Sequence, residues 1–83
     1  MIIESRANER VKEARKLLQR KERKESGQHL IEGEKLVREA ITSGARVVSC
    51  FIEEGYAFSP PESAQTHTVT RAVLESLCES QTP

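Results

Sequence analysis

Arg46-Val-Val-Ser-Cys-Phe-Ile52, then Thr66-His-Thr-Val-Thr70, then Val73, Leu74, Leu77 and Cys78 at helical spacing, decide the fold. The first run is β-branched and almost continuously apolar, as in a strand buried on both faces. The second alternates and is rich in Thr and Val, which predicts a short strand. Thr70 can cap the helix that follows, whose apolar positions repeat as i, i+1, i+4, i+5. Between the strands, Glu53 to Gln65 holds Gly55, Ser59-Pro60-Pro61 and Ser63, and reads as loop.

Upstream, Gln28-His-Leu-Ile-Glu-Gly33 is a short apolar run, read as a strand. Leu36, Val37, Ala40 and Ile41 give a helix with a narrow buried stripe, closed by Gly44. Further back, Val11, Ala14, Leu17 and Leu18 form one apolar stripe on a helix from about Asn8 to Gln19. Asn8 suits the N-cap, and Glu9 suits the first turn. Residues 20–27, Arg-Lys-Glu-Arg-Lys-Glu-Ser-Gly, carry no large apolar side chain, which predicts a loop or a frayed helix end stopped at Gly27. The expected order is α, then β-α-β-loop-β-α. Such alternation predicts an α/β fold with a three-stranded, mainly parallel sheet and helices packed on it. Residues 1–27 form a basic helix and loop, and residues 28–79 a β-α-β-β-α core, within one domain spanning 1–83.

The chain has 83 residues, of which 36% are hydrophobic and 31% charged, so any core is small. Only Phe51, Tyr56 and Phe58 are aromatic, so that core is aliphatic. No run approaches the roughly 20 apolar residues of a membrane helix. Met1-Ile-Ile-Glu4 does not read as a signal peptide. A membrane protein, a secreted precursor and a multidomain enzyme are thereby excluded, and a cytoplasmic location is expected. Cys50 and Cys78 form neither a disulfide framework nor a zinc site, and nothing beside them would lower a thiol pKa. No nucleophile elbow, P-loop or dinucleotide motif is present, and His29 and His67 stand alone. No catalytic or metal residues are expected.

Zero net charge hides an asymmetry. Residues 1–25 hold nine bases and five acids, a net of +4, and the remainder carries −4. Arg15 to Lys24 contains six bases and one acid. Lys12, Arg15, Lys16 and Arg20 fall on the helix face opposite the apolar stripe. Flexible cations spread over one surface suit a phosphate backbone. So few aromatics argue against base stacking as the main mode, and no exposed aromatic pair is expected on the sheet. Structured RNA fits better than single strands.

Ile3-Glu-Ser-Arg-Ala-Asn8, Val11-Lys12, Leu17-Leu18, Arg20-Lys-Glu-Arg23, Gly27 and Ile31-Glu-Gly-Glu-Lys-Leu-Val-Arg-Glu-Ala40 resemble a known family. It is the N-terminal substrate-binding domain of the SpoU-type (TrmH-like) RNA ribose 2′-O-methyltransferases. The resemblance covers nearly the whole chain and departs at His29, where the family usually has Phe. It implies a small α/β/α sandwich similar to kink-turn-binding ribosomal proteins, which positions ribosomal or transfer RNA. It implies a further, knotted domain that binds S-adenosylmethionine, transfers the methyl group and forms a homodimer. The stretch Leu77-Cys-Glu-Ser-Gln-Thr-Pro83 resembles the hand-over to that domain, so the chain is expected to stop there and to be inactive alone. Arg6, Asn8, Lys12, Lys21, Arg23 and Lys35 match family positions. Together with Arg15, Lys16, Arg20 and Lys24 they are the expected RNA contacts. A stand-alone ribosome-associated or kink-turn-type RNA-binding protein is the alternative. A third reading is a protein-docking module whose partner includes its own catalytic domain.

Overall fold

The computed structural model describes residues 2–78. Along the chain run β1 (Ile2–Ile3), α1 (Glu9–Lys16), α2 (Arg20–Ser26), α3 (Glu34–Thr42), β2 (Ser49–Glu53), β3 (Gln65–Val69) and α4 (Arg71–Ser76). The sheet order is β1-β3-β2, with both pairs parallel. Four helices and a three-stranded parallel sheet make the expected small α/β fold.

β3 is the centre, and its register fixes two faces. Ile3 and Glu53 both stand level with Val69, and Phe51 stands level with His67. Because side chains alternate along a strand, Ile3, Phe51, His67 and Val69 share one face. Onto that face pack Val11 and Ala14 of α1 and Val73 and Leu77 at α4, with Leu30 and Leu74 at the margin. The core is therefore aliphatic, as the composition requires. Thr70 Oγ1 accepts the Val73 N–H at 3.3 Å, which starts α4. A cap of this kind contributes about 1 kcal/mol. The opposite face carries Ile2, Cys50, Ile52, Thr66 and Thr68. Only Cys50 is buried there, and Ile2 is 37% exposed.

Three sequence expectations are corrected. Residues 28–33 are not a strand. Glycines with φ of +72° (Gly27) and +96° (Gly33) turn the backbone at both ends of a five-residue link, and β1 takes the remaining edge of β3. Short apolar runs such as Leu30-Ile31 do not distinguish strand from link by pattern alone. Residues 20–26 are a separate helix rather than a loop or a frayed end of α1, and Gly27 closes it, as expected, by donating its N–H to Arg23 O at 2.9 Å. Arg, Lys and Glu are good helix formers, and the Arg23 bond to Leu17 O anchors this short helix to the end of α1. Finally, β2 is an edge strand starting at Ser49. It is not buried on both faces, and Val48 is 48% exposed.

The missing strand also explains α3. Its stripe is only half-buried at Val37, Ala40 and Ile41, and Leu36 is 54% exposed. With no strand at 28–33, the sheet does not extend beneath this helix. The stretch 79–83, read as the hand-over to a further domain, lies outside the described residues.

Candidate nucleic-acid interface

α1 begins with a compact set of local bonds. Asn8 Oδ1 accepts the Arg10 N–H at 2.8 Å, and Ser5 Oγ accepts the Ala7 N–H at 3.0 Å. Asn8 therefore acts as the N-cap, and Arg6 lies exposed in the turn before it. Burying Val11 and Ala14 aims Lys12 and Lys16 at solvent. Lys16 pairs with Glu13 at 3.0 Å, and that hydrogen bond raises its pKa. Both groups are exposed, so the pair adds little stability. Arg15, in the last turn of α1, is half-buried.

A short turn at 17–19 leads into α2, which buries no residue. Arg23 is half-buried and donates from Nη1 to Leu17 O at 3.0 Å, so it clasps the joint between the two helices. Arg20, Lys21 and Lys24 are exposed on the same helix. Among the described residues these three and Lys12 make no side-chain hydrogen bond or ion pair. The cations expected between residues 6 and 24 thus fall on one continuous helix-turn-helix segment. Asn8 and Arg23 serve its architecture; Arg6, Lys12, Lys16, Arg20, Lys21 and Lys24 are exposed, and Arg15 is half-buried. Lys35 is exposed on α3, a separate element.

Sequence reasoning passed over Arg10. It flanks the buried stripe of α1, and its Nη1 donates to Gln65 Oε1 at 3.2 Å, reaching the start of β3. Next along β3 on the same face is His67, whose ring lies 5.0 Å from Phe51 and tilted by 34°. Both rings are half-buried, and Phe51 packs against the core cluster. The position of Arg10 one residue before Val11 was the available signal, because it sets that side chain at the border of the docked face.

At α3, Glu34 accepts from Arg38 Nε at 2.6 Å and from the Tyr56 hydroxyl, and the Arg38 guanidinium lies 5.6 Å from the Phe58 ring centre. This chain of contacts ties the loop after β2 to α3. The Tyr56 hydroxyl first, then Arg38, holds the Glu34 carboxyl below its usual pKa of 4.5, and the carboxylate raises the Tyr56 phenol. A depressed acid stabilises the fold above its unfolded pKa, and that contribution fades as pH falls through the folded value. Tyr56→Phe should shift the Glu34 titration midpoint upward in carboxyl carbon NMR; an unmoved midpoint would refute the bond.

Two cavities are lined by described residues. A cleft of about 340 Å³ lies between the α1–α2 joint, His29, Leu30 and Leu77. An open groove of about 590 Å³ lies beside α3, with Leu30, Ile31, Leu36 and Ala40. His29 is exposed where it lines the cleft. Burial raises Cys50, and burial followed by a hydrogen bond with Glu32 pushes Cys78 up to about 11. Cys50 is buried, whereas Cys78 is half-buried and its thiol donates to Leu74 O at 3.5 Å. Among the described residues no cluster could hold a metal ion.

The family model described as the MRM3-like substrate binding domain matches residues 8–83. The match opens at the Asn8 cap and takes in all four helices. No curated protein matches the chain.

Proposed function

Because the chain belongs to the MRM3-like substrate-binding domain family, we propose that it holds structured RNA, ribosomal RNA first, for ribose 2′-O-methylation by a further domain. One observation carries this reading. The α1–α2 segment turns exposed, mostly unpaired cations outward along two successive helices, and α2 buries nothing. A helix without a core-facing side does little for the fold, whereas mobile cations at several points on one surface can track phosphates by shape. Lys12, Lys16, Arg20, Lys21 and Lys24 contact phosphates, with Arg6, Arg15 and Lys35 at the margins. Asn8 and Arg23 hold the segment in shape.

S-adenosylmethionine does not fit either cavity lined by the described residues. The groove beside α3 is open and offers Glu32, Glu39 and Ser43 among aliphatic side chains, and the 340 Å³ cleft offers Arg23, His29 and Glu32. Neither encloses a nucleoside. The cofactor, the methyl transfer and the homodimer contact belong to the further domain.

The test is an NMR titration with a structured ribosomal RNA fragment at low and raised salt. Amide shifts should cluster on residues 6–24, and log K should fall with log salt at a slope of roughly −3 to −5, the counterion release of four or five phosphates. Absence of shifts at low salt would reject RNA as the partner.

A further inference from the structure

We infer that the rim where α1 meets the start of β3 seats one unpaired nucleobase, using Arg10, Gln65, His67 and Phe51. This rests on the RNA-binding reading and sharpens it. Register carries the argument. Phe51 and His67 are cross-strand neighbours with rings 5.0 Å apart, and Gln65 lies two residues before His67, on the same face at the open end of the sheet. From above, Arg10 reaches down to Gln65 at 3.2 Å. A planar cation, an amide, an imidazole and a phenyl ring thus adjoin within two pleats.

Each of these groups suits a splayed base. Rings and guanidinium planes stack on its face, and amide and imidazole meet its edge. The bond between Arg10 and Gln65 is exposed, so a base can take it over at little cost. Burial, and then the Arg10 charge, lowers the His67 pKa, so the neutral ring offers one donor and one acceptor. Arg10 and Gln65 are exposed, and His67 and Phe51 are half-buried. The rim is a shelf, suited to a base on a chain held elsewhere rather than to a free small molecule.

Two hairpin RNAs with the same stem test this, one with a single-nucleotide bulge and one fully paired. Affinities are read by fluorescence anisotropy for the native chain, His67→Ala and Gln65→Ala, with folding checked by thermal melting. Gln65 is exposed, so its variant keeps the comparison open if His67→Ala loses stability. The native chain should prefer the bulged RNA by about tenfold, the worth of one stacked base. In the variants the preference should fall below about threefold, with paired-hairpin affinity unchanged. Equal binding of both hairpins by the native chain, or a preference that survives both substitutions, overturns the shelf and leaves RNA binding standing. If neither hairpin binds, the RNA reading and the shelf fall together.

Discussion

The triple reversal Arg20→Glu, Lys21→Glu, Lys24→Glu should weaken RNA binding about 500-fold at about 0.1 M salt and leave the thermal midpoint within a few degrees of native. Each phosphate contact contributes a slope of about 0.9 in log K against log salt, which is about eightfold at one decade below 1 M. Three contacts multiply, and the salt slope should become shallower by about 2.7. The fold should tolerate the change because α2 buries no residue and none of the three side chains holds a partner among the described residues. Arg23 is left out because its bond to Leu17 O clasps the helix joint, so its loss would mix architecture with affinity. An affinity within about threefold of native would remove α2 from the interface.

Val69→Ala should lower the thermal midpoint by roughly 10–20 °C. Val69 is 0% exposed, occupies the central strand, and joins Val11, Val73 and Leu77 in one cluster. Losing its branched methyls costs about 0.8 kcal/mol per carbon in transfer, and the cavity left behind brings the total to roughly 2–3 kcal/mol. In a domain of this length each kcal/mol moves the midpoint by about 4–8 °C. Total stability at this size is only about 4–12 kcal/mol, so the loss is a large share. Calorimetry of the two chains measures it. A shift below about 4 °C would mean that α1 and α4 do not close over β3 as described.

The parts of the fold legible in sequence were those where local and tertiary signals agree. The Val11–Ala14 stripe, the Asn8 and Thr70 caps and the alternation at 66–69 each combine a period with a cap or a pleat. β1 was missed because two residues, Ile2 and Ile3, carry no period, and only pairing with Thr68 and Val69 makes them a strand. Residues 28–33 misled for the opposite reason. Leu30 and Ile31 look strand-like locally, yet whether an edge is free for them is decided by residues nearly forty positions away. α2 shows how helix propensity can act without burial. For the candidate interface, charge counting identified the segment but not its division of labour. Spacing alone cannot tell Arg23, bent back to a carbonyl, from Lys24, one residue on and unattached. Nor can it bring Arg10 to Gln65, 55 residues later.

The central place of β3 sets an order of events during synthesis. Both other strands bond only to it, and none of its residues precedes position 65. Residues 2–3 and 49–53 must therefore wait, unpaired, until residues 65–69 have been made. Sheet formation requires closing a loop of about 65 residues, a high contact order that slows folding. Meanwhile α2, which needs no tertiary partner, can sample its helix as soon as its residues emerge. A nascent chain would thus display its cations before it owns a core, so polyanions can meet this protein before it has finished folding.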